Sequence, residues 1–456
     1  MLENNTFRGC EPSWANACVG NNGMPDYYDY AQGYSEGSRI LINAALENNG
    51  CNHAVDIMIY PICFNMRHSV ELRLKGAVAA LTKIAAPRTQ FPSFNLEGSH
   101  DIGKIWEFLK VEGAAFDSRL EFYNRVLDGF ILDIAEIDAT GQTFRYPYST
   151  DDIKHLVGIP TINLVLLATR FAALEHLLDS FQAFLVELDF EYQLKIYTKN
   201  LSRSQILRIA MDAPAVSEWG SEGFSAFKTL IKAKYSIGSK EFSQVMCTIR
   251  GLYTPYANFL DGPPLIFLTE PQLESFFSTW LMINAAPKPI PSEAPDAVSN
   301  NKNLMRERLA YAFDQDIKIK DAWASLEATF DTDTIADLSA LYETGSSAYA
   351  EHYPLHVEYY QNEFKAGIHS YAGEAKESIT RLLKKPTALS RILRTLYLLG
   401  RDDLAERLID RYSIEESIDW LSSARQHSLF AEPCDKIIKG CFEFYKSLDP
   451  MVLMKM

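Results

Sequence analysis

The sequence is poor in the features that hold a metal, grip a nucleotide or enter a membrane. No apolar run approaches the ~20 residues that a spanning helix requires. The richest stretch, 157–168, is short and interrupted by Thr161 and Asn163. The first residues, MLENNTFRGCEPSW, have neither the basic start nor the apolar core of a secretory signal. These absences predict a cytoplasmic protein with no membrane association. The seven cysteines include no C-x-x-C pair, and no histidine stands at zinc-finger spacing from them. Reduced thiols, some of them in the core, are expected instead of structural zinc or disulfides. P-loop, G-x-G-x-x-G and H-E-x-x-H patterns are all missing, and no cofactor or metal is predicted. Basic charge is also scarce: 44 Lys and Arg face 59 Asp and Glu, a net charge of −15. That balance disfavours a non-specific coat for nucleic acid or an anionic membrane, yet leaves room for a small RNA-handling cleft. Finally, no period-two run is long enough for a sheet.

What remains is helical. The 456 residues are 47% hydrophobic and 23% charged, which is ordinary globular composition. Helical periodicity runs through 34–48, 55–84, 102–125 and 161–188, then through several shorter segments in 200–280. One of these starts at Ser202, where Ser202-x-x-Gln205 forms a capping-box pattern. Residues 304–445 are again helical, with Gly400 suited to a break between two helices. A turn-rich segment, 140–152, has room for a short hairpin at most. The expected fold class is all-α. The expected divisions are a helical bundle over 1–196, a central helical region over 197–284, a proline-rich linker over 285–303 and a C-terminal helical domain over 304–456, the last compatible with an irregular α-solenoid. Pro287, Pro289, Pro291 and Pro295 mark the linker.

The chemistry concentrates in 60–80, YPICFNMRHSVELRLKGAVAA. On a helix, Arg67, His68, Glu71 and Lys75 fall within one stripe about 100° wide. The remaining circumference is apolar, which is the pattern of a buried helix. Buried charges must be paired, and Glu71 has Arg67 four residues before it and Lys75 four after. Two readings stay open: an ion-pair ladder that orients neighbouring helices, or the floor of a polar cleft. Two further polar clusters follow. GSHDIGKIWEFLK (98–110) offers Ser99 as an N-cap, with His100 and Asp101 in the first turn. TFRYP (143–147) sets Arg145 and Tyr146 in a turn.

In this order, residues 24–195 resemble the HEPN superfamily of helical bundles, found in bacterial and archaeal toxin–antitoxin and antiphage systems. The matching residues are Arg67, His68, Glu71, Leu74, Lys75, His100 and Asp101. The resemblance implies an RNA-binding or RNA-cleaving, metal-independent effector that forms a homodimer through its N-terminal bundle. HEPN ribonucleases also carry an Arg-x4-6-His pair near the start of the last helix. The one match is Arg170 to His176, with apolar Phe171 after the arginine, and chance alone supplies about one such pair. Arg170 and His176 are therefore either a catalytic pair or neighbours by coincidence on a helix surface. Whether the chain is an enzyme stays open. The alternative is a non-catalytic helical module that regulates or scaffolds a partner enzyme encoded nearby.

Three weaker clusters complete the reading. His352 and His356 have metal-like spacing, but Pro354 between them distorts a helix unless it lies in the first turn. Tyr27, Tyr28, Tyr30 and Tyr34 form either a stacking platform or the cover of a bundle face. Between 381 and 411 the local charge turns positive; Arg381, Lys384, Lys385, Arg391 and Arg394 make either a phosphate- or partner-binding surface or a solvated helix face.

Overall fold

The computed structural model describes residues 4–252, 265–284, 318–319, 321–366, 371–426, 429 and 432–453, apart from residues 90 and 150. The fold is all-α. Among the described residues the sole β feature is an isolated bridge between Tyr148 and Lys154. The hairpin expected in 140–152 shrinks to that bridge. Among the described residues no helix is long and apolar enough to cross a membrane. The proline-rich segment 285–303 lies outside the described residues.

The chain forms two compact units, Met1–Gln193 with Cys434–Met456, and Leu194–Pro433. This grouping differs from the expected one in two places. Leu273, Phe276, Phe277 and Trp280 of the central region share one core with Leu338, Leu389, Leu393 and Leu408, so segments on both sides of 285–303 belong together. The C-terminal helix Pro433–Ser447 instead joins the first unit, as does the short helix Pro450–Leu453.

In the first unit, α1 (Tyr27–Leu46) starts earlier than its periodicity suggests. Asp26 and Asp29 close a capping box that draws Tyr27, Tyr28 and Tyr30 into the helix. The central helix is α2 (Val55–Ala85), packed on α1 and on α6 (Leu164–Gln193). Ile62, Val70, Leu74, Val78 and Leu81 are its fully buried apolar side. Between them the chain makes α3 (Ile102–Phe108), a π-turn (Leu109–Gly113), α4 (Ala114–Phe116) and α5 (Leu120–Asp138). The expected continuous helix over 102–125 is thus broken at Asp117, whose backbone is extended. A buried charge cluster accounts for the break. Arg119 binds Asp117 Oδ2 at 2.8 Å and Glu191 Oε2 of α6 at 2.8 Å. Three buried ionic groups satisfy one another there, as burial requires. The returning helix Pro433–Ser447 lays Phe442 against Phe122, ring centroids 6.3 Å apart. All seven cysteines are free thiols; Cys63, Cys434 and Cys441 are buried.

The second unit has two cores. Helices Arg203–Asp212, Glu222–Lys234 and Ser239–Arg250 surround the smaller one. Ser202 and Gln205 close the capping box at the first of these helices. The larger core extends from helix Glu270–Ile283 to helix Leu421–Arg425. Gly400, at φ +68°, separates Ala388–Leu398 from Asp402–Tyr412.

Candidate functional site

The polar stripe of α2 converges on one carboxylate. Glu71 is 2% exposed. Its Oε1 accepts from Lys75 Nζ at 2.9 Å and faces His100 Nδ1 at 2.9 Å. Its Oε2 accepts from Arg67 and lies 3.7 Å from His68 Nδ1. Burial alone pushes the Glu71 carboxyl up, but hydrogen bonds from His68, Lys75 and His100 and the Arg67 charge outweigh it. The carboxyl is held well below the usual carboxylate range.

Arg67, 3% exposed, is consumed by the scaffold. Its Nε donates to the Asp138 carbonyl at 3.1 Å, and its Nη2 donates to the Ala139 carbonyl at 2.7 Å and to the His100 carbonyl. It therefore closes the C-terminal end of α5, where carbonyls lack helical partners. In doing so it clamps the start of α3 to the end of α5. Gly141 makes room for this guanidinium. Its φ is +78°, and a Cβ there would sit 2.9 Å from Arg67 Nη1, so both conformation and space call for glycine. Lys75 is also buried, at 6% exposure.

The groups that reach solvent are different ones. A polar cleft of about 670 Å³ is lined by His68, Glu71, Asn95, His100, Lys104 and Arg145, among others. The His100 side chain is 62% exposed and that of His68 27%. The His68 ring stacks on Phe64, 5.7 Å between centroids, and meets Tyr34 edge-on at 4.5 Å. Arg145 Nε donates to the Gly141 carbonyl at 2.6 Å, its guanidinium lies 5.3 Å from the Tyr146 ring centroid, and the residue lines the cleft. Lys104 Nζ stands 3.6 Å from Asp101 Oδ2. One expectation is corrected here. The N-cap of α3 is Asp101, not Ser99, because the Asp101 carboxylate accepts from Lys104 N at 3.1 Å; His100 precedes the helix and is not in its first turn.

The Glu71 carboxylate orients the neighbouring imidazoles. A carboxylate ionised at neutral pH can only accept, so the His100 Nδ1 that faces it carries the proton. Nε2 is the nitrogen left for a substrate. The same carboxylate biases His68 in the same sense. The site thus holds two half-open imidazoles on one buried anion, with Lys104 and Arg145 as the accessible cations.

Arg170 and His176 do not meet. Arg170 pairs with Asp133 at 2.5 Å, donates to the Val452 carbonyl, and lines an apolar cavity of about 220 Å³ with Phe130 and Ile134. His176 packs on Phe444, 3.7 Å between centroids, and lines a separate polar cavity with Arg39 and Glu175. Cys63, in the apolar cavity, is an inert thiol: burial, then the Asp138 charge, pushes its pKa up to about 12. In the second unit, Pro354 does fall in the first turn of helix His352–Ala366. Its two histidines each face a hydroxyl, His352 Nδ1 to Ser347 Oγ at 2.7 Å and His356 Nδ1 to Thr344 Oγ1 at 2.9 Å. Among the described residues no group of three or more His, Cys, Asp or Glu is placed to hold a metal ion.

No family model, curated protein or solved structure matches the chain.

Proposed function

We propose that the first unit is a HEPN-like, RNA-binding and RNA-cleaving effector of a bacterial antiphage-defence or toxin–antitoxin system, working without a metal ion. The observation that carries this reading is the pair of imidazoles facing one buried carboxylate in an open polar cleft. Two imidazoles so placed are suited to act as base and acid on one substrate. His100 Nε2 takes the proton from an RNA 2′-hydroxyl, and O2′ attacks the adjacent phosphorus. The P–O5′ bond breaks, and protonated His68 returns a proton to O5′. The products are a 2′,3′-cyclic phosphate and a 5′-hydroxyl. Lys104 and Arg145 stabilise the charge that builds on the phosphoryl oxygens. Arg67 and Lys75 are positioning residues, because burial keeps them from any phosphate. Glu71 fixes tautomer and ring orientation and does not react; both of its oxygens are already engaged by cations.

Incubating the purified chain with total RNA, with and without EDTA, tests the reading. Cleavage at equal rates in both is expected. Cleavage abolished by EDTA and restored by a divalent cation would overturn it.

The burial of Arg67 and Lys75 favours a second reading, a non-catalytic module that regulates or scaffolds a nearby-encoded enzyme. It predicts no cleavage in either condition. Under both readings the protein acts in the cytoplasm as a homodimer. The motive for the dimer is the resemblance, since the apolar segment 159–188 is largely spent on the bundle itself: Phe171, Leu174, Leu177, Phe181 and Leu185 are buried. Light scattering at micromolar concentration should give twice the chain mass, and a strictly monomeric mass contradicts the dimer.

A further inference from the structure

The positive stretch 381–411 separates into two sets once its partners are visible. Arg407 binds Glu270 at 2.9 Å and Asp403 at 3.0 Å, Arg411 binds Glu274, and Arg401 lies 3.7 Å from Asp403. These are neutralised surface pairs. Arg381, Lys385 and Arg391 are not. Among the described residues none of the three has a carboxylate within ion-pair distance. All three line one cavity of about 320 Å³, together with Ser339, Ser378, Tyr342, Tyr360 and a single carboxylate, Glu343. Lys384 and Arg394 are not among its lining residues.

The cavity is built, not incidental. Its groups come from Thr332–Thr344, His352–Ala366, Tyr371–Lys384 and Ala388–Leu398, with Lys385 in the short connection between the last two, so four helices frame it. Arg391 is kept over the Tyr342 ring, 4.8 Å from its centroid, a contact that positions the guanidinium without cancelling its charge. Its backbone is fixed by a close helix approach: a Cβ on Gly345 would lie 2.4 Å from the Arg391 carbonyl oxygen. Ser339 Oγ and Ser378 Oγ are buried and 2.9 Å apart. Since Ser339 Oγ also donates to the Ile335 carbonyl at 2.8 Å, Ser378 is the donor between them, and its lone pairs face no other donor in the pair. The positive field reaches beyond the cavity, where burial and then the Arg391 charge lower the pKa of Arg394.

We propose that this cavity is an anion site of the second unit, taking the diphosphate group of a small phosphorylated ligand. Three cations against one carboxylate call for a multiply charged anion. Planar guanidinium forks match phosphoryl oxygens, and the lysine adds a point charge. The volume is at the lower end of the roughly 300–1,000 Å³ of ligand pockets, which fits a phosphorylated small molecule and not a polynucleotide. Tyr342 and Tyr360 supply the ring surface for whatever the diphosphate carries.

Calorimetric titration of the full chain at constant ionic strength tests this, with inorganic pyrophosphate, adenosine 5′-diphosphate and adenosine as probes. Saturable binding is expected for the two diphosphates and none for adenosine. Pyrophosphate binding as tight as that of the nucleotide assigns the site to the free anion; tighter nucleotide binding assigns it to an esterified one. Arg381→Gln and Lys385→Gln, both at exposed side chains, should each weaken binding about tenfold or more. His100→Ala, in the other unit, should leave it unchanged. Absence of saturable binding, wild-type affinity in both Gln variants, or loss on His100→Ala would each overturn the proposal.

Discussion

Replacing Glu71 with alanine should destabilise the first unit by about 3–5 kcal/mol, the loss seen when one partner of a buried ionic group is removed. The size follows from what is left behind. Arg67 and Lys75 are both buried and both lean on Glu71. Removing the carboxylate strands two cations away from water, and Arg67 in turn loosens its hold on the carbonyls of Asp138, Ala139 and His100. Urea unfolding at neutral pH reads the effect as a lower midpoint at constant slope. The same pairing sets an acid limit. The folded Glu71 carboxyl titrates below its unfolded value of about 4.3. Its contribution is therefore complete above that value and drains away as pH falls toward the lower, folded pKa. The gap between wild type and Glu71→Ala should be widest near neutrality and narrow below about pH 4. A gap that does not change with pH would mean that the carboxylate charge is not what Arg67 and Lys75 require.

His100→Ala should do the reverse: RNA cleavage should fall by about 10²–10⁴-fold, the usual worth of a positioned acid or base, while stability falls by only about 0.5–1.5 kcal/mol, the net worth of one hydrogen bond. The two roles of His100 are carried by different atoms. Its carbonyl accepts from Arg67 and survives the substitution, whereas its largely exposed ring faces Glu71 and the cleft. If activity falls only in step with unfolding, the ring is a structural partner of Glu71 and the cleft is not catalytic.

The core of the site was legible because it is local. Arg67, Glu71 and Lys75 stand at i, i+4 and i+8, and a regular helix alone brings them to one stripe. His100 was legible only as a helix-start residue; that it reaches Glu71 depends on α3 packing beside α2, which periodicity does not encode. The accessible cation Lys104 was hidden in an ordinary helix turn. Gly141 was hidden too, since a glycine in a turn-rich segment reads as a turn, not as space for an arginine packed from another helix. The sequence alone starts α3 two residues early, with Ser99 as the expected cap, whereas the Asp101 carboxylate accepts from Lys104 N and is the cap. Long-range grouping was the least readable. Nothing in the spacing of Phe442 and Phe444 reveals that their helix returns to Phe122 and His176, more than 250 residues earlier. The charge cluster Asp117, Arg119 and Glu191 breaks a helix that the apolar pattern alone would continue.

The most direct test of the two-histidine cleft is the chemistry of the ends that it leaves on RNA. Products should be recovered from RNA digested in EDTA, and their termini identified by mass spectrometry. Acid–base attack by the 2′-hydroxyl predicts 2′,3′-cyclic phosphates and 5′-hydroxyls, lost together in His100→Ala. Fragments ending in 3′-hydroxyl and 5′-phosphate, or intact RNA from a folded chain, would contradict it.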